Sequence, residues 1–136
     1  MSATTFFKNL ILDTHFGSGS PATFYIGLTT VVPGALGSLS GEPVIGTNGY
    51  ARVPITNNEA NFPDAVGGEK SNANAVSFPQ STGAWALGAD LLYYFWADAA
   101  SGGNVWQYAA LTPPLRSVNA SGITLSFAPG ELKTIA

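Results

Sequence analysis

The sequence predicts an all-β fold, an antiparallel β-sandwich of jelly-roll type carrying one short N-terminal helix. Three observations point there. From residue 22 onward, apolar positions recur with a period of two, in short runs, rather than with the period of a helix. Clusters of Gly, Pro, Asn and Ser separate those runs. About seven or eight runs follow one another without a fixed repeat, which favours a sandwich over a propeller or solenoid.

The N-terminal segment is the exception to the β pattern. Phe6, Phe7, Leu10, Ile11 and Thr14 fall on one side of a helical spiral. Thr4 or Thr5 can cap its start, and Gly17 can take the left-handed geometry that ends it. A helix of about ten residues is marginal by itself in water. Its apolar side chains therefore need the body of the protein, or a neighbour, to lie against. The expected organisation is one domain over 1–136, with a helical arm at 1–17 and a β body at 22–136.

The strands follow in order. After the hinge Gly17-Ser18-Gly19-Ser20-Pro21, residues Phe24, Ile26 and Leu28 alternate with Tyr25, Gly27 and Thr29 as a half-buried strand. Residues 33–49 form a long loop rich in Gly and Pro, with Glu42 its single charge, and long loops in compact domains are usually functional or mobile. A strand at Tyr50 to Thr56 contains Pro54, which has no N–H to donate and so marks a sheet edge or bulge. Residues 57–72 read as a second polar loop, and a short strand over Ala75 to Phe78 ends at Pro79. Leu91 to Ala97 lacks alternation, as expected where both faces are buried. The turn Ala100-Ser101-Gly102-Gly103-Asn104 joins that run to Val105–Leu111 as a hairpin. Ile123, Leu125 and Phe127 alternate with Thr124 and Ser126, and a shorter strand at Leu132 to Ile135 closes the series.

Composition narrows the function. Charged residues are 10% of the chain, against about 25% in ordinary domains, so Ser, Thr, Asn, Gly and Ala must face solvent. The net charge of −3 argues against nucleic acid, because the five basic residues (Lys8, Arg52, Lys70, Arg116, Lys133) are scattered. There is no cysteine, hence no disulfide framework and no thiolate metal site, which fits a reducing compartment. Lys8 interrupts the first apolar run, so no secretory signal is expected. The longest apolar run, Leu91 to Ala97, is far short of the roughly 20 residues that span a bilayer. No membrane partner is expected.

A search for chemistry finds no catalytic apparatus. His15 is the sole histidine and no Gly-x-Ser-x-Gly elbow accompanies it. Asp90 and Asp98 flank the aromatic run, but eight extended residues hold them roughly 26 Å apart, too far to flank one glycosidic bond. Glu59 and Asp64 read as solubilising loop charges, and no glycine-rich stretch has phosphate-binding spacing. No enzyme activity, metal or cofactor is expected. The aromatic hairpin stands out instead: Tyr93, Tyr94, Phe95, Trp96, Trp106 and Tyr108 fill a core or meet another subunit. The interface candidates are Phe6, Phe7, Leu10, Ile11, Tyr93, Trp96 and Trp106. A sugar platform on Trp85, Trp96 or Trp106 is the competing reading.

Several segments in fixed order carry a family likeness. They are His15-Phe16-Gly17, Pro21-Ala22-Thr23-Phe24-Tyr25-Ile26-Gly27-Leu28-Thr29-Thr30, Glu42-Pro43, Gly49-Tyr50-Ala51-Arg52-Val53 and Thr56-Asn57-Asn58. Asn61-Phe62-Pro63, Lys70-Ser71-Asn72, Thr82-Gly83-Ala84-Trp85, Asp98 to Asn104, Ala110-Leu111 and Ser126-Phe127-Ala128-Pro129-Gly130 continue it. Through nearly its whole length the chain resembles small tailed-bacteriophage virion proteins of the tail-fibre-like kind, some of which are similar to capsid cement (decoration) proteins. Leu91 to Trp96 is more aromatic than that pattern. The resemblance implies a non-enzymatic structural protein. Its first form is a cement protein on the outer capsid surface, made and assembled in the host bacterial cytoplasm, binding the major capsid protein as a dimer or trimer. A tail or tail-fibre-associated host-recognition protein and a carbohydrate-binding β-sandwich module are the alternatives.

Overall fold

The computed structural model describes residues 2–86, 89–111 and 118–135; Arg116, one of the scattered cations, lies outside them. Among the described residues one helix, α1 (Thr5–His15), precedes eight strands: β1 (Thr23–Thr29), β2 (Val53–Thr56), β3 (Glu69–Ser71), β4 (Val76–Ser77), β5 (Tyr93–Ala97), β6 (Val105–Ala110), β7 (Ser126–Phe127) and β8 (Lys133–Ile135). The described strands form a four-stranded sheet in the order β2-β1-β5-β6 and two-stranded sheets β3-β8 and β4-β7. The all-β class with one short N-terminal helix is thus what the chain adopts. A jelly roll needs two facing four-stranded sheets, and only one sheet of that size forms among the described residues.

The chain divides into two compact units. The first comprises Met1–Phe24, Ile55–Val76 and Phe127–Ala136, and the second Tyr25–Pro54 and Ser77–Ser126. In the first, α1 packs with β3 and β8, which pair antiparallel with Lys70 opposite Thr134. Thr4 caps the helix by accepting from the Phe7 amide, and Phe16 closes it by donating its backbone N–H to the Leu12 carbonyl. Gly17 follows at φ 99°, and a Cβ there would meet the Phe62 carbonyl oxygen at 2.9 Å. Only glycine fits. The aromatic nucleus is Phe16 stacked on Phe24 at 4.5 Å, with Phe62 edge-on to both.

In the second unit, β5 pairs with β1 (Phe95 opposite Gly27) and with β6 (Phe95 opposite Tyr108), all antiparallel. The Phe95 ring occupies the space that a side chain at residue 27 would take, which explains a glycine in mid-strand. Tyr94, Phe95, Trp96 and Ala97 are all buried, so the absence of alternation in the sequence reflects burial of both faces. A second cluster joins Tyr50, Phe78 and Trp85, with Tyr50 and Trp85 edge-to-face at 5.2 Å. The expected strand at Ile123 to Phe127 shortens to Ser126–Phe127, because Ile123 bonds instead to the backbone and hydroxyl of Ser81.

Candidate functional site

Two outward-facing surfaces, one on each unit, stand out. The first is the helix. An amphipathic helix ordinarily turns its apolar stripe to the body of its own domain, and α1 does the reverse. Leu12 is its one buried residue, whereas Phe6 is 76% exposed, Phe7 and Leu10 are each half exposed, and Ile11 is also exposed. The side that docks combines the buried Leu12 with polar anchors. Asn9 Oδ1 accepts from the Gly68 amide at 2.8 Å, and Asp13 Oδ1 accepts from the Ala65 amide and from Lys70 Nζ, each at 2.8 Å.

Lys70 sets this orientation. Its ammonium is almost fully buried, and a buried cation without a partner is very costly. Asn9 and Asp13 lie one turn apart, so the helix face that satisfies Lys70 also satisfies the Gly68 amide. The apolar stripe is left facing solvent. Burial works to raise the Asp13 carboxyl, but the hydrogen bonds from Lys70 and Ala65, with the Lys70 charge, outweigh it and hold the group below its ordinary value.

A pH dependence follows. A depressed carboxyl stabilises fully above about pH 4, where the unfolded side chain ionises, and its contribution is lost as pH falls through the lower folded value. Acidification through that window is expected to loosen α1 from β3. Hydrogen exchange followed by NMR would show protection at the Ala65 amide collapsing while the β5–β6 amides stay protected. Undiminished Ala65 protection at the acid end would contradict this.

The second surface belongs to the other unit. Along β6, Trp106, Tyr108 and Ala110 are exposed and alternate with half-buried residues. Tyr93 on β5 is half-buried and meets Tyr108 edge-to-face at 6.2 Å. Trp106 donates its indole N–H to Asp98 Oδ2 at 3.2 Å, and Asp98 also accepts from the Asn104 amide and side chain. The hydrogen bond from the Asn104 backbone N–H leads in holding the Asp98 carboxyl below its ordinary value. Asp98 is thus a turn-forming group that fixes the indole. In the same unit, the loop of residues 31–45 exposes Val31, Val32, Leu36, Val44 and Ile45, with Leu36 fully exposed.

The interface candidates from the sequence therefore divide. Phe6, Phe7, Leu10, Ile11 and Trp106 are exposed, Tyr93 is half-buried, and Trp96 is fully buried, where its ring serves the core. Trp85, a sugar-platform candidate, is buried as well and donates its indole N–H to the Asn48 carbonyl. Sequence reasoning missed the exposed Leu36 and Val44 as individual residues, though the loop's length had drawn attention to it. His15, Glu59, Asp64 and Asp90 are exposed, and no group of three His, Cys, Asp or Glu positioned for a metal occurs among the described residues. A groove of about 540 Å³ runs beside β3 and β8, lined in part by Pro63, Glu69, Asn72 and Lys133. Its charged pair, Lys133 and Glu69, is solvent-exposed at 3.7 Å.

Comparison with known proteins supplies what the geometry does not. A family model described as podophage GP4 fiber I protein gp80 matches residues 2–134. The chain belongs to this family. No curated protein matches it significantly. As a member of the gp80 fibre family the chain is a phage structural protein, and the tail-fibre-like resemblance in its sequence is confirmed. Membership is consistent with a place in the virion, and no helix among the described residues is long and apolar enough to cross a membrane.

Proposed function

We propose that this chain is a non-enzymatic, fibre-type component of a podophage particle, held in place by protein–protein contacts. The observation that carries the reading is the outward placement of large apolar side chains on both units of a chain that belongs to a fibre family. Interface cores favour aromatic groups and exclude charge. Here Phe6, Phe7, Leu10, Trp106 and Tyr108 are exposed on a molecule with only 10% charged residues. On this reading the partners are other virion proteins, and neither nucleic acid nor membrane takes part.

A second reading, capsid cement on the major capsid protein, draws on the same weakly charged surface. Repetition over a shell lets modest contacts add through multivalency. Copy number separates the two. Quantitative mass spectrometry of purified virions should give a small number of chains per particle if the protein is a fibre component. A ratio to the major capsid protein near one, or near a simple fraction of one, would replace that reading with cement. Absence from the virion would overturn both.

A further inference from the structure

The four-stranded sheet ends in β6, and along part of that strand its edge is open. In an antiparallel ladder, residue pairs that exchange backbone bonds alternate with pairs whose N–H and C=O point away. The Leu111 N–H donates to the Leu92 carbonyl at 2.9 Å, a bonded pair, which places Tyr93 with Ala110 and Phe95 with Tyr108 among the non-bonded ones. The N–H and C=O of Tyr108 and of Ala110 therefore point away from β5, and no part of the described chain bonds them. Both residues are exposed. We propose that this edge receives an extended segment of another virion protein as a fifth strand, the identity of that partner resting on the fibre-type reading above.

Three features favour a strand as the occupant, and a single one. The first is a contrast along the edges of the sheet. Proteins ordinarily blunt a sheet edge with proline, charge or a covering loop. At the opposite edge, β2 carries Pro54, which is exposed and has no N–H to offer. At the start of β6, Gly37 of the 33–49 loop lies so close that a Cβ on it would meet the Val105 N and O, each at 3.3 Å. Tyr108 and Ala110 have no such cover. Their strand reads Val-Trp-Gln-Tyr-Ala-Ala, without a charge or a proline.

The second feature is the hydrogen-bonding pattern itself. Two donors and two acceptors, on residues about 7 Å apart along the strand, match the backbone of an extended chain. A helix cannot meet them, because its own N–H and C=O groups are used within it. The third feature is clearance. One strand can lie beside Tyr108 and Ala110 and stop where the 33–49 loop meets Val105. A second copy of this chain would bring a whole sheet edge, with its own loop, to the same place. Side chains then set which segment fits. Tyr108 and Ala110 share a face of the sheet with Tyr93, whose ring meets Tyr108 edge-to-face at 6.2 Å, and the small Ala110 leaves room beside the two rings. β-Branched or aromatic residues at alternate positions of the incoming strand pack well there, and β6 has no charge to select a charged one.

Hydrogen exchange of the free full chain, followed by NMR, is the first test. The Tyr108 and Ala110 amides should exchange fast, and those of Ala109 and Leu111 slowly. Protection of Tyr108 and Ala110 in the free monomer would overturn the proposal, and so would protection that grows with concentration, which would put a second copy on the edge. Ala110→Pro then tests the partner. Proline is tolerated where an edge N–H faces solvent, so the circular dichroism and thermal midpoint of the variant should match the parent. Its copies per purified virion, counted by mass spectrometry, should fall by about tenfold or more. A folded variant incorporated at the parent's level would overturn the proposal alone. Absence of the parent itself from particles would overturn the fibre-type reading and this partner with it. Should Ala110→Pro misfold, Tyr108→p-benzoylphenylalanine supplies a second measurement. Irradiated virions are expected to show residue 108 cross-linked to a segment of another virion protein. Cross-links confined to copies of this chain, or none at all, would overturn the proposal.

Discussion

Arg52→Ala is expected to destabilise the second unit by about 3–5 kcal/mol, the range found when one member of a buried ion pair is removed. The Arg52 side chain is 1% exposed and Glu42 13%. Its guanidinium bonds Glu42 with two nitrogens, Nε to Oε2 and Nη2 to Oε1, each at 2.8 Å. Nη1 donates to the carbonyls of Ala99 and Gly102 at 2.7 and 2.9 Å. The cation also lies over the Phe95 ring, 5.1 Å from its centroid. One side chain thus ties the 33–49 loop, the start of β2, the aromatic strand β5 and the turn after it. Alanine would leave the Glu42 carboxylate without its cation and leave a void over Phe95.

The loss should spread by a definite route. Glu42 Oε2 also accepts from the Tyr50 hydroxyl at 2.8 Å, and the Tyr50 hydroxyl oxygen in turn accepts from the Leu28 amide at 3.1 Å. Burial, reinforced by the Glu42 charge, pushes the Tyr50 hydroxyl far above its ordinary value, so it stays a protonated donor. Urea denaturation gives the size of the effect, and hydrogen exchange at the Leu28 amide reports its path. Combining Arg52→Met with Glu42→Gln should recover much of the loss, since replacing both members of a buried pair is often close to neutral. A single variant within about 1 kcal/mol of the parent would show that the pair is not a structural tie.

These residues also show where the sequence was legible and where it was not. Period-two patterning located β1, and an unbroken apolar run followed by a Gly-rich turn located β5 and β6 as a hairpin. Pro54 located β2 at the sheet edge for a backbone reason that holds in any context. Thr4 and Gly17 marked the helix ends through capping and the left-handed turn. β3 escaped notice because Glu69-Lys70-Ser71 has no apolar pattern; it is a strand because of its pairing with β8 and the burial of Lys70 against Asp13, distant in sequence. Arg52 and Glu42 looked like isolated charges for the same reason. Periodicity reveals which face of an element is apolar. It cannot reveal that a polar face will be turned inward, and in α1 that reversal is what leaves Phe6, Phe7, Leu10 and Ile11 at the surface.

Asn57→Ala is the second substitution with a large expected effect, about 2–4 kcal/mol on the first unit. Asn57 is almost fully buried and joins the end of α1 to the start of β1. Its Oδ1 accepts from the Gly17 amide, and its Nδ2 donates to the carbonyls of His15 and Pro21, each at 2.8 Å. Its own amide bonds the Ala22 carbonyl. A side-chain amide is suited to this place because it offers an acceptor and two donors at one point. Alanine strands one N–H and two carbonyls, each costing more when buried than the original bonds contributed. Asn57→Asp sharpens the test. It keeps an acceptor for Gly17 but turns a carboxylate oxygen toward two carbonyl oxygens, so at neutral pH it should be at least as damaging as alanine. Chemical denaturation with hydrogen exchange at the Gly17 amide distinguishes the outcomes. An aspartate variant as stable as the parent would mean that the two carbonyls need no donor, and that the turn from α1 into β1 is held by the Phe16, Phe24 and Phe62 rings instead.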